Sequence, residues 1–493
     1  MLGLVRETVI AYLFGATGYV SVFRVAATII QTLYDFLIGG MVSAALVPVF
    51  SDLVARRAEL WRVASVVLNA LALLLACAVL ALELCAPQLV WLLGSGYAPE
   101  LQAAAVDMLR LVLPAVFFLG LSGVITGLLY ALKRFTYPAF TTAAYNAGII
   151  LVAFALTPVF GITSLIVGVL VGSASQVTLQ LFGLRDWQYR FAFDFSHPAI
   201  RQILKLYAPV VAGLSISVVS VVIDRNLASH TGAQSLAWMQ NATTLTQFPL
   251  GLVATAISFA ILPELSRQES GVSQQPNNQL PITNFRSTLS FGITLVLLLI
   301  LPATVGLFVL ARPIVALLFE RGAFTAMDTT MTARALEFYL LGLPFAAIDQ
   351  PLVFAFYARK NTLLPNLVQF GAVAIYLGVA FALVQPLGMI GLVIANAAML
   401  AGHALAMLWF TRTRLGGLDG RALGNTAIKI ALAAGAMGVI AQATLNALSG
   451  GALWWQVLAP TCVAGVAYVA LLRVLRVREV ERGWQIVVAR VRR

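Results

Sequence analysis

Charge is what this chain is short of. Only 10% of its 493 residues are Asp, Glu, Lys or Arg, against roughly 25% in an ordinary soluble domain. That leaves too little polar surface for a soluble fold of this length. Cysteine is scarce too. Cys77, Cys85 and Cys462 lie in or beside apolar segments, with no metal-type spacing and no evident pairing, and read as packing residues. The three histidines are His197 in a loop, His230 at a helix end and His403 inside an apolar run. There is no Gly-x-x-x-x-Gly-Lys phosphate loop, no His-Glu-x-x-His and no credible Ser/His/Asp set. No catalytic residue, metal site or cofactor is therefore expected. The formal charge of +12 sits in short loops rather than in a basic domain, which argues against a nucleic-acid partner.

What the chain has in abundance is apolar length. Hydrophobic residues make up 61% of it, in many runs that reach the ~20 residues a bilayer crossing needs. The runs lack period-2 alternation, so they read as helices rather than barrel strands. The expected fold is an all-α polytopic membrane protein with about fourteen spans: 2–22, 26–50, 64–84, 111–131, 138–158, 162–184, 205–229, 241–264, 288–310, 336–358, 364–385, 388–411, 425–448 and 453–475. No small-residue cleavage pattern closes the first, which reads as a retained helix. Sixteen Lys and Arg residues fall in the even-numbered connections and five, including Arg24, in the odd ones. Cytoplasmic loops carry that excess, so both termini are expected in the cytoplasm.

Two halves repeat. Ala45–Ser51 (ALVPVFS) returns as Ala260–Ser266 (AILPELS), offset by 215. Tyr130–Lys133 with Pro138 returns as Tyr357–Lys360 with Pro365, offset by 227, as do Gly161, Leu165 and Arg185 at Gly388, Leu392 and Arg412. The polar stretch Ser266–Ser287 supplies much of the extra sequence. The repeat unit is six helices, and an even number puts both copies in the same orientation in the membrane. Expected parts are a lobe over 1–190, a second over 191–415, two further helices over 416–475 and a basic tail over 476–493. The tail reads as a basic helix on anionic lipid.

Charges inside spans are costly and usually meet a cavity or a partner. The best candidates are Arg6, Glu7, Asp35, Asp224, Arg225, Asp349 and Lys429. Asp224 and Arg225 project about 100° apart on a helix and need not pair; one can face a cavity, or both can snorkel. Asp349, before Gln350 and Pro351, is either a cation or proton site or a buried hydrogen-bonded carboxyl. His403 reads as a packed polar residue. Asn241, Thr244 and Gln247, three apart, share a face that either lines a cavity or joins helices. Gly168-x-x-x-Gly172 fits close helix packing, and Ala311–Thr332 reads as an amphipathic segment on the outer surface.

Several motifs resemble the MurJ/MviN family of bacterial lipid II flippases, within the multidrug/oligosaccharidyl-lipid/polysaccharide exporter superfamily. They are Leu2–Glu7 (LGLVRE) with Phe14–Ala16, Ala45–Ser51, Ile223–Ser229 (IDRNLAS), Phe248–Gly251 (FPLG) and Leu262–Ser266. The resemblance implies two six-helix lobes and two extra helices that hold a lipid tail. It also implies alternating-access translocation of an undecaprenyl-pyrophosphate-linked peptidoglycan precursor across the cytoplasmic membrane. Implied partners are that precursor, membrane lipids and cell-wall synthesis proteins.

A pyrophosphate in a low-dielectric cavity needs cationic partners, and Arg supplies them without risk of deprotonation. The resemblance puts Arg6 there. Tyr12 stands where a second arginine is common, Ser21 where an aspartate is, Tyr34-Asp35 for Arg-Arg, Gly39 for a glutamate beside the retained Gly40, and Thr243-Thr244 for Asp-Arg. The expected substrate site is therefore Arg6, with Arg24 or Arg225 and Tyr12, Tyr34, Asp35, Thr244 and Gln247; Asp224, Asp349 and Gly40 are expected in coupling or gating. Alternatives are a flippase for another lipid-linked oligosaccharide and, on Asp35 and Asp349, a cation-coupled exporter of small amphipathic compounds.

Overall fold

Lipid offers backbone amides no partner, so an apolar chain crosses it by closing its hydrogen bonds within each segment. The computed structural model accordingly contains helices and no strands among its described residues, 2–184, 186–194, 196–269, 285–359 and 361–477. Arg185, Lys360, most of the polar stretch after Ser266 and the tail from residue 478 lie outside the described residues.

Contacts divide the chain into two compact units: residues 1–237 with Gly322–Phe324, and residues 238–321 with 325–493. The lobe limits at 190 and 415 come from the repeat and are a different division. In the first unit the helices are α1 (Leu2–Phe14), α2 (Gly18–Tyr34), α3 (Val47–Leu53), α4 (Arg57–Leu84), α5 (Ala86–Gly94), α6 (Pro99–Val112), α7 (Pro114–Ala131), α8 (Thr136–Phe160), α9 (Thr163–Leu181) and α10 (Pro198–Ser229). Then come α11 (Ser235–Pro249), α12 (Ala256–Glu269), α13 (Phe285–Val309), α14 (Ala311–Phe319), α15 (Ala326–Ala358), α16 (Leu363–Leu387), α17 (Met389–Arg414), α18 (Gly420–Ala447) and α19 (Leu453–Val474). Eleven helices among the described residues are long and apolar enough to cross a membrane, against the fourteen spans expected.

The repeat is written in the backbone of each unit. α8 and α16 each have 25 residues and end on a glycine with nearly the same strained geometry, Gly161 at φ 52°, ψ −134° and Gly388 at φ 57°, ψ −134°. Positive φ is open to glycine at little cost, which is why that residue recurs there. The 215-residue offset also carries over: π-helical turns occupy Asp35–Gly39 in one half and Leu250–Thr255 in the other. Such turns widen a helix locally and often mark functional bends.

The structure corrects several expectations. The first span breaks after Phe14, where Gly15 at φ 63° ends α1 and the Thr17 hydroxyl accepts from the Val20 N–H to start α2. Arg24, assigned to a connection, is thus inside α2 and buried. Residues 311–332 are not one surface segment. Only α14 is a short helix, and Thr325 with Asp328 forms a capping box that starts α15. All three cysteines are exposed rather than packed in a core; lipid accommodates a polarizable thiol as readily as a core does. The Gly168/Gly172 expectation holds. A Cβ on Gly172 would stand 2.6 Å from the Tyr145 carbonyl oxygen, and one on Gly168 3.0 Å from the Ile149 Cα, so α8 and α9 touch backbone to backbone.

Candidate functional site

α1 and α2 bring three charges together. The Glu7 carboxylate is 1% exposed and lies between two guanidiniums. Arg6 donates to its Oε1 from Nη2 at 2.6 Å and from Nε at 3.1 Å. Arg24, seventeen residues on, donates from Nη1 to the same oxygen at 3.2 Å and from Nη2 to Oε2. Arg24 is 9% exposed, and its Nε is buried without a hydrogen-bond partner. Arg6 is 26% exposed. One carboxylate cannot neutralise two arginines, so the trio holds one net positive charge inside an apolar unit. A charge so placed favours an anion strongly.

That surplus has an outlet. Arg6 lines a cavity of about 440 Å³ in the first unit, with Gln31 and Tyr34 of α2, Thr142, Tyr145 and Asn146 of α8 and Gln176 of α9. Among the described residues no other charged side chain lines it. Its neutral groups donate and accept hydrogen bonds, a set suited to an oxyanion bearing polar substituents. A polar chain leads away from it: Gln180 donates to the Ser122 and Thr126 hydroxyls at 2.8 and 3.1 Å, and Ser122 donates to Gln176 at 3.3 Å.

Of the expected site residues, the structure brings Arg6, Arg24 and Tyr34 together in or behind this cavity. Asp35 turns away at the start of the π turn. It accepts from Gln31 Nε2 at 3.0 Å and, with Gly40, lines a separate pocket of about 290 Å³. Gly40 lets α10 approach, since a Cβ there would strike Val210. The Phe36 carbonyl in the π turn accepts from the Tyr207 hydroxyl. Tyr12 is exposed and absent from the cavity lining; its carbonyl accepts from the Ala323 N–H at 2.9 Å.

Asp224 and Arg225, which need not have paired, do so at 3.6 Å. They are absent from the cavity lining, and the adjacent Asn226 donates to the Leu92 carbonyl and to Ser95 Oγ, both at 2.9 Å. Thr244, Gln247 and Asp349 belong to the second unit. There the Thr244 hydroxyl donates to its own helix at Gln240, Gln247 is exposed, and Asp349 meets His403 at 2.9 Å.

The residues overlooked at first were Glu7 as a bridge and the α8 set. The signal for the latter was present. Thr142, Tyr145 and Asn146 recur at three- and four-residue spacing in an otherwise apolar helix, which puts them on one face.

Outside the membrane-spanning segments, Arg134 donates to Asp186 through Nη1 at 2.5 Å and Nη2 at 3.0 Å. The hydrogen bond from the guanidinium holds the Asp186 carboxyl below the usual carboxylate range and raises Arg134 in turn.

Known proteins resemble this chain along most of its length. A family model described as lipid II flippase MurJ matches residues 10–458. The lipid II flippase MurJ of Burkholderia cenocepacia is 29% identical over 387 residues, covering 76% of this chain and 73% of that protein. The probable lipid II flippase MurJ of Vibrio cholerae is 30% identical over 429 residues, covering 83% and 79%. Among solved structures, a lipid II flippase MurJ in an inward closed conformation superposes with a TM-score of 0.82 at 24% identity, covering 96% of each chain. An inward-facing multidrug resistance MATE family transporter of the MOP superfamily reaches 0.69 at 15% identity, covering 84% and 94%.

Proposed function

Because the chain belongs to the MurJ family of lipid II flippases, we propose that it carries lipid II across the cytoplasmic membrane by alternating access. The observation that carries this reading is Arg6, the one charged side chain among the described residues that lines the cavity of the first unit. In the proposed complex the Arg6 guanidinium takes the pyrophosphate. Tyr34 and the α8 hydroxyl and amide groups hold its remaining oxygens and the first sugar. Arg24 stands behind the site and, through Glu7, sets the direction in which Arg6 points. Arg6 is free to do this because Glu7 occupies one edge of its planar fork and leaves other donors for a ligand.

The other assignments follow from charge and apolar surface. The Lys and Arg bias of the even-numbered connections supports both termini in the cytoplasm. The working parts are two six-helix lobes, 1–190 and 191–415, with α18 and α19 as a groove for the polyprenyl tail. Exposed Leu432 and Val439 on α18 and Val466 on α19 offer the aliphatic surface such a tail requires. Arg225, Thr244, Gln247 and the Asp35 carboxylate are assigned to contact with the headgroup during its passage, and Asp224, Asp349 and Gly40 to coupling or gating. Tyr12 contributes at the rim. The chain works as a transporter and carries out no bond chemistry.

The test is translocation of labelled lipid II in liposomes containing the purified full chain, run beside rescue of cells depleted of their own flippase. Movement above that of empty liposomes and restored growth are expected. Failure of both refutes the assignment.

A further inference from the structure

The second unit holds a part-buried acid–imidazole pair. His403, near the middle of α17, places Nδ1 2.9 Å from Asp349 Oδ1 on α15, and its Nε2 lies 3.4 Å from the Pro365 carbonyl on α16. The side chains are 9% and 20% exposed. Asp349 is the ionisable group within hydrogen-bond distance of the imidazole. Tyr357 lies two turns further along α15. The other ionisable side chains on the elements around the pair include Tyr376 on α16, Glu264 on α12 and Arg286 on α13. On α17 itself the next is Arg412, about 14 Å along the axis at 1.5 Å per residue.

We propose that His403 and Asp349 form a proton-binding site that couples transport to a proton gradient. The proposal rests on the transport reading above and names its energy source. One proton from water binds the pair and one returns to water; no other bond changes. With the proton the pair has no net charge, as imidazolium and carboxylate or as two neutral groups. Without it the net charge is −1. An apolar surrounding penalises that state, and water reaching the pair relieves the penalty. Proton affinity therefore follows which side hydrates the pair, and that differential is what links binding to conformation.

The pair is also tied to deformable backbone. Gln350, next in sequence to Asp349, accepts from the Thr255 hydroxyl at 3.0 Å. Thr255 closes the π turn Leu250–Thr255 between α11 and α12. Pro351 follows at once within α15 and deprives that helix of a backbone hydrogen bond. A charge change at Asp349 thus acts beside two points where helices bend most cheaply.

The test uses the full chain in liposomes with labelled lipid II and an imposed pH gradient. If one proton moves per cycle, each pH unit shifts the equilibrium distribution of lipid across the bilayer about tenfold. His403→Gln and Asp349→Asn should abolish that response, read as the ratio with and without the gradient. Wild-type protein that moves lipid with no response to the gradient, or a His403→Gln variant that keeps it, overturns the proposal. If no lipid moves at all, the transport reading fails, and a second measurement judges the proton site independently. Infrared difference spectra of the purified protein between about pH 8 and pH 5, the range in which imidazole titrates, should show carboxyl and imidazole bands that vanish in the two variants. Spectra identical to those of the variants overturn the site.

Discussion

Glu7→Gln isolates the electrostatic core of the first unit. The substitution keeps the size of the side chain and removes its charge. Glu7 receives four guanidinium contacts on two oxygens. A glutamine has one acceptor oxygen, and its amide nitrogen then faces a guanidinium donor. Two arginines remain, one of them 9% exposed, and the local charge rises from one to two positive. Removing one partner of a buried ion pair costs about 3–5 kcal/mol, the range expected here.

The measurement is equilibrium unfolding of the purified protein in mixed micelles, followed by tryptophan fluorescence. Arg24→Gln alone should cost less, because Glu7 keeps Arg6. The Glu7→Gln/Arg24→Gln double variant should recover part of the loss, since it removes one of the two unpaired cations. A cost below about 1 kcal/mol for Glu7→Gln, the range of solvent-exposed pairs, would refute the reasoning by showing that the trio is hydrated.

Three further outcomes follow from the same structure. Arg6→Gln removes the cavity's charge. A charge-assisted hydrogen bond is worth about 1.5–3 kcal/mol, so apparent affinity for lipid II should fall about ten- to hundredfold in a titrated flipping assay, with the fold kept. Gly172→Ala drives a methyl against the Tyr145 carbonyl oxygen. It should destabilise the first unit by about 1–3 kcal/mol in the same unfolding measurement, whereas alanine at the open Gly378 should not. The depressed Asp186 carboxyl stabilises the folded state above its unfolded pKa, and that contribution is lost as pH falls through its folded value. Both partners are largely solvated, so the effect is at most about 1 kcal/mol. Comparing the acid limbs of wild type and Asp186→Asn checks it.

The family match and the helical class were within reach of the sequence, and the helix ends were less so. Gly15 ends α1 and Thr17 starts α2, and the expected span 2–22 ran past both. Arg24 was drawn to the wrong side of that boundary. Its seventeen-residue separation from Glu7 gave no hint of pairing until the turn between α1 and α2 was in place. His403 and Asp349, fifty-four residues apart, read singly as polar residues in apolar helices.

The division has a physical cause. Lipid forces each segment to satisfy its own backbone, so helix, span and loop are decided by residues close in the chain and could be read from it. The recurring turn motifs were legible for the same reason, because each copy writes its turns locally, as at Gly161 and Gly388. A helical period tells which residues share a face but not which helix that face meets. The partner of a buried charge is chosen by packing between segments. Only the tertiary structure set Glu7 between Arg6 and Arg24, gave Arg6 a cavity, and joined His403 to Asp349.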